Sequence, residues 1–151
     1  MRDERFVAEH RGGPLSIERH RLLIAWACDC AGHVVRLLEG TVDERLRAAL
    51  DVAREWKKGN ASVGDARAAS MGAIAAARES GRPTAIAVAR SVGHAVATAH
   101  MADHSLGAAW YALKAVNYAG GSTAAERKWQ NARLPSGIRS LVLTARGQRN
   151  I

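Results

Sequence analysis

Residues 84–119 contain no proline and are helix-compatible throughout. Within them, Arg90 to Val116 reads RSVGHAVATAHMADHSLGAAWYALKAV, rich in alanine and carrying His94, His100 and His104. One straight helix over the whole run would span about 54 Å at 1.5 Å per residue, too long for one compact domain. An unbroken helix would align Val88, Val92, Val96, Ala99, Leu106, Trp110 and Leu113, and would put Asp103 on that same apolar stripe. The run is therefore predicted to break or kink between Thr98 and Ser105, with Asp103 or Ser105 capping the second half. Its small side chains let neighbouring helices approach closely.

The remaining segments read as helices of ordinary length. Ser16 is placed to cap a helix to about Glu39, with Leu23, Trp26, Ala27, Cys30, Val34, Leu37 and Leu38 as its buried stripe. Thr41 and Glu44 have capping-box spacing before a second helix to about Lys58, which buries Leu46, Ala49, Leu50, Ala53 and Trp56. Ser62 caps a third helix to about Ser80, with Val63, Ala66, Ala69, Met71, Ile74 and Ala77 mostly inward. Pro83 suits the first turn of the long run. After Gly120-Gly121 a short helix starts at Thr123-x-x-Glu126 and ends near Arg133, and Ile138 to Ala145 forms a last one.

Apolar residues make up 48% of the chain but aromatics only 5%, so alanine and aliphatic side chains must fill the core. Alanine is the strongest helix former. The fold class is all-α, a compact bundle of six or seven helices with solenoid-like pairing as a variant. Residues 1–14 are read as an irregular arm, 15–145 as a single helical domain, and 146–151 as a frayed basic tail.

No apolar run approaches the ~18 residues needed to span a bilayer, and the charged N-terminus lacks a signal-like apolar centre. A soluble, cytoplasmic protein with no membrane partner is expected, and Cys28 and Cys30 are too few and too close for a secreted disulfide framework. The net charge of +8 raises nucleic acid as a partner. Against it, 22 basic residues are interleaved with 14 acidic ones, and no stacking aromatics sit between the basic groups.

The most suggestive chemistry is His100-Met101-Ala102-Asp103-His104. On a helix, His100 and His104 would share a face with Asp103 alongside, a pair that can hold a transition metal. His94 or His33 would have to be brought near for a third ligand, and Met101 stands where a metalloprotease helix would carry its glutamate. The alternative is a structural polar set of Asp29, His33, His94, His100, Asp103 and His104, in which Asp103 caps and the histidines satisfy buried contacts. Asp29 and His33 are spaced to pair on one helix. Cys28 and Cys30 point about 200° apart on a helix and cannot grip one metal. No nucleophile elbow, phosphate loop or dinucleotide-binding glycine pattern occurs, so no catalytic residue and no cofactor is assigned.

Several stretches carry a family resemblance. They are His20-Arg21-Leu22-Leu23 with Trp26, and Asp29-Cys30-Ala31 with His33-Val34. Asp43-Glu44-Arg45 follows, then Ala49-Leu50 and Ala53-Arg54-Glu55-Trp56. Gly93-His94, Ala97-Thr98-Ala99-His100 and Ala102-Asp103-His104 come next, before the run Ala108 to Val116. Glu126-Arg127-Lys128-Trp129-Gln130 and Leu134-Pro135 complete the set. In order and spacing, over about residues 14 to 143, the chain resembles the immunity proteins of bacterial polymorphic toxin–immunity systems, some of whose relatives carry an exonuclease-like label. The resemblance implies a small all-helical protein, not an enzyme, that neutralises a cognate toxin by steric occlusion in the cytoplasm. A chain of this charge would be repelled by a basic nuclease cleft, so the implied toxin has an acidic docking surface. A metal-dependent hydrolase using His100, Asp103 and His104, and a basic nucleic-acid binder, are the alternatives.

Overall fold

All the helices but the fifth begin at a capping short polar side chain or a proline. The computed structural model describes residues 3–151, and among these there are seven α-helices: α1 (Ile17–Val34), α2 (Glu44–Lys57), α3 (Val63–Glu79), α4 (Pro83–Ala97), α5 (His104–Tyr118), α6 (Thr123–Ala132) and α7 (Ser136–Arg149). Ser16 accepts from the Arg19 amide at the start of α1, and Ser122 from the Ala125 amide at the start of α6. Ser62 and Asp65 form a reciprocal capping box on α3. Pro83 occupies the first turn of α4. For α2 the cap is Asp43, not the expected Thr41–Glu44 box. Its carboxylate takes the Arg45 amide at 2.9 Å and also binds the Arg45 guanidinium at 2.8 and 3.0 Å, a charge-assisted arrangement a threonine cannot offer.

Helix α1 is the centre of the bundle. His20, Leu23, Ile24, Trp26, Ala27, Cys28, Cys30, Ala31 and Val34 are all buried, an arc wider than half its circumference and not the single stripe expected. It has neighbours on several sides, packing against α2, α4, α5 and α7. Its α-helical bonding tightens at Val35–Leu37 into a 3-10 turn, short of Glu39. Consecutive helices also pair in order from α1 to α6, which is the solenoid-like element. Contact of α1 with α4 and α5 closes that series into a bundle.

The core is divided by side-chain size. A cluster made mostly of alanine joins α1, α2, α3 and α4. Larger side chains, among them Trp26, Leu106, Ile138 and Val142, fill the space between α1, α5 and α7, where Phe6 and Leu15 also dock. The N-terminal segment is held there by a parallel bridge between Ala8 and Leu15. Gly13 allows that closure, since a Cβ on it would lie 2.1 Å from the Val7 carbonyl oxygen. Residues 1 and 2 of the expected arm lie outside the described residues.

The break in the long run falls where the 54 Å argument puts it, between Ala97 and His104. The cap does not. Asp103 sits at the N-cap position of α5 but in a helical conformation (φ −70°, ψ −12°), and its side chain makes no capping bond. The Ser105 hydroxyl turns back to donate to the Ala102 carbonyl at 2.7 Å.

The C-terminal end also departs from expectation. Helix α7 continues past Ala145 to Arg149, and the Arg146 side chain is buried. Its guanidinium donates to Gln130 Oε1 (2.8 Å), Asn131 Oδ1 (3.2 Å) and the Ile151 carbonyl (3.3 Å), and lies 5.7 Å from the centre of the Trp26 ring. Gln130 in turn donates to the Ala109 carbonyl, and Trp26 Nε1 donates to the Gln130 carbonyl. One polar network therefore ties α1, α5, α6 and α7 together.

Candidate functional site

The histidines gather where α4 stops. Thr98 ends the helix by donating its hydroxyl to the His94 carbonyl at 3.0 Å. Its own carbonyl accepts from His20 Nε2 of α1 at 2.5 Å, so an imidazole from the central helix seals the broken end. His20 is fully enclosed, packs on the Trp56 ring at 4.7 Å, and is pushed below the usual imidazole range chiefly by burial.

The close histidine contact is not the expected one. Because the chain leaves the helix at Thr98 and re-enters at His104, His100 and His104 do not sit one turn apart on a common helix, although their ring centroids still lie 5.4 Å apart. Instead His94 Nδ1 and His104 Nδ1 lie 2.9 Å apart, across the α4–α5 junction. Two imidazoles meet at that distance when one nitrogen donates and the other accepts, which requires that not both be protonated. Burial, reinforced by the neighbouring His104, pushes His94 down to about 4, and burial also lowers His104 and His100. The His94 ring is held between His104 and Tyr111, with centroids 5.0 and 5.2 Å away. Gly107 is what admits it, since a Cβ there would lie 2.6 Å from His94 Nδ1.

The remaining candidate residues lie elsewhere. His33 Nδ1 is 2.7 Å from Glu126 Oε2, and its ring stacks on Trp129 at 3.6 Å. Arg36 approaches the other oxygen of Glu126 at 3.7 Å. Asp29 faces Arg133 at 3.9 Å and not His33. The six residues read as one polar set thus divide between the α4–α5 junction and the α1–α6 contact. Glu126 was not singled out because its spacing from Thr123 reads as a cap, and nothing local tells that its carboxylate turns inward. For the metal reading, no group of three or more histidine, cysteine or acidic side chains is arranged among the described residues so that it could hold a metal ion. Cys28 and Cys30 are both buried as free thiols, and burial raises Cys28 to about 12 and Cys30 well above the usual thiol range.

Beside the histidine pair, α3, α4 and α5 enclose an open cleft of about 260 Å³. Ile74 and Arg78 come from α3, Arg90 and His94 from α4, and His104 and Tyr111 from α5. No carboxylate is among its lining residues, and neither Arg78 nor Arg90 makes an ion pair among the described residues. Arg90 leans toward the Tyr111 ring at 5.7 Å, and Lys114 lies over Trp110 at 4.2 Å. The serine hydroxyls of this region hold helices together. Ser70 donates to the Gly93 carbonyl (3.2 Å) and Ser91 to the Ala108 carbonyl (2.7 Å). The walls are therefore fixed and the positive charge faces out.

The flank of the cleft corrects the reading of the third helix. Ala66, Ser70, Ala73, Ala76 and Ala77 are its buried residues, while Met71 is 70% and Ile74 41% exposed. The approach of α3 to α4 admits only small side chains, so the two longest apolar residues are turned outward. Tyr111, Arg78 and Arg90 were likewise not singled out, because nothing local to any of them tells that three helices bring them to one place.

Compared with known families, residues 13–137 match the model described as Imm-5 like putative immunity protein. No curated protein and no solved structure matches the chain.

Proposed function

The chain belongs to the Imm-5 like putative immunity protein family, and from that premise we propose that it binds a cognate bacterial toxin in the cytoplasm and neutralises it by covering the surface the toxin needs. The observation that carries this reading is the family match, which extends over residues 13–137 and so includes every helix up to the start of α7. The physical character of the surface supports it. An occluding protein works by presenting a rigid, complementary face, and here a bundle cross-tied by buried polar bonds carries a net charge of +8. Such a charge favours fast encounter with an acidic surface and disfavours a basic nuclease cleft. The toxin so defined has an acidic docking surface.

The test is protection in living cells. Expression of the product of the reading frame beside this chain's gene should arrest a bacterial host, and co-expression of this chain should restore growth. Arrest that persists despite equal amounts of folded chain would refute the proposal. Tight binding to a strongly basic nuclease domain would refute the acidic docking surface.

A further inference from the structure

We infer that the α3–α4–α5 cleft is the docking face for the toxin, and that it takes an acidic segment whose carboxylate side chains meet Arg78 and Arg90 while an apolar side chain lies against Ile74 and Tyr111. The inference rests on the immunity reading and adds to it a place and a chemistry of recognition.

Three observations converge on this face. The first is charge. Elsewhere on the surface some arginines are matched by carboxylates: Arg45 by Asp43 and Glu79, Arg82 by Glu39, Arg133 by Asp29. Others, such as Arg19 and Arg47, stand singly without an ion pair among the described residues. Arg78 and Arg90, by contrast, line one cleft together, with no carboxylate in its walls. An ionised carboxylate arriving there completes charge pairs that the fold itself leaves open, and arginine suits this role because its planar fork can hold both oxygens.

The second is the outward stripe of α3. Arg67, Met71, Ile74 and Arg78 follow one another at four-, three- and four-residue steps, so they line one side of the helix. Both apolar members are exposed although the helix has a well-packed inner face. Apolar side chains bracketed by arginines, with Tyr111 and Trp110 close by, are the residue types that carry protein–protein binding energy. The third is rigidity. The hydroxyl-to-carbonyl bonds from Ser70 and Ser91 fix α4 against α3 and α5, so little order has to be imposed on binding.

The same geometry disfavours a nucleic-acid strand. Tyr111 already stacks on His94 and faces Arg90, which leaves no free aromatic platform for bases, and exposed Met71 and Ile74 give a phosphate backbone nothing to bind.

The experiment measures affinity for a catalytically inactive form of the toxin that the growth-protection test identifies. Wild type is compared with R78E/R90E, with the milder R78Q/R90Q, and with R47E/K128E, which makes the same charge change at exposed sites on α2 and α6. The expected result is a loss of about 100-fold or more for R78E/R90E and a smaller loss for R78Q/R90Q. The distal double should stay within about threefold, and all variants should melt close to wild type. Equal losses in the cleft and distal doubles, or an unchanged cleft double, would overturn the location and leave the immunity reading standing. A short RNA or DNA duplex that binds wild type and is lost only in R78E/R90E, with toxin binding intact, would overturn it in favour of phosphate recognition. A wild type that neither binds nor neutralises the toxin brings down the immunity reading, and this inference with it.

Discussion

At the scale of single residues, two positions decide more than their size suggests. Gly107 lies inside α5, where alanine would be favoured by about 1 kcal/mol on helix propensity alone. The added Cβ would meet a His94 ring held against His104 and Tyr111, so the ring must give up its contact with one of them to make room. Overpacking of this kind costs about 1–3 kcal/mol, so Gly107→Ala should lower the urea midpoint despite the gain in propensity. Arg146 is the other. It is a buried cation with no aspartate or glutamate partner among the described residues, balanced by three oxygen acceptors, the face of Trp26 and the C-terminal end of its own helix. Arg146→Ala leaves Gln130 Oε1 without its donor in the interior and should cost about 2–3 kcal/mol, read from chemical denaturation at constant slope. A loss below about 0.5 kcal/mol would mean the network is not a structural tie.

At the scale of elements, the junction between α4 and α5 makes stability depend on pH. Burial holds His20, His94, His100 and His104 below the ordinary imidazole range, with His94 at about 4. In that window the unfolded chain binds protons that the folded chain refuses, so stability is complete above about pH 6.5 and falls as pH drops toward 4. His94 alone should contribute a loss on the order of 2–3 kcal/mol across that interval. Denaturation midpoints at pH 7.5, 5.5 and 4.5 check it, and His94→Gln should flatten the slope by about one proton. The break itself was legible in the sequence, because length alone forbids a straight 84–119 helix. Its capping was not. Asp103 has the residue type of a cap, but the backbone enters α5 already helical, which no propensity encodes. The inward face of α3 was misread for a related reason. Met71 and Ile74 are apolar at helical spacing, and only the distance to α4 excludes them. Periodicity finds helices and the sides that match; it does not report how close the next helix stands.

At the scale of the whole molecule, the all-helical class and the number of helices follow from alanine content and the placement of breaks, and both agree with the structure. The candidate site was only half legible. The histidines were conspicuous, but their partners are set by long-range packing: His94 with His104 across a junction, His33 with Glu126 across two helices. Arg78, Arg90 and Tyr111 share a cleft only because α3, α4 and α5 converge. On the proposed reading this molecule is a rigid body that acts by being in the way. Titrating a fixed amount of active toxin with the purified chain tests that most directly. Steric occlusion predicts that toxin activity falls linearly and reaches its floor at one chain per toxin, with full activity regained once the complex is dissociated. Loss of activity at far less than one equivalent, or loss that persists after separation, would mean that the chain inactivates the toxin by chemistry and would contradict the account.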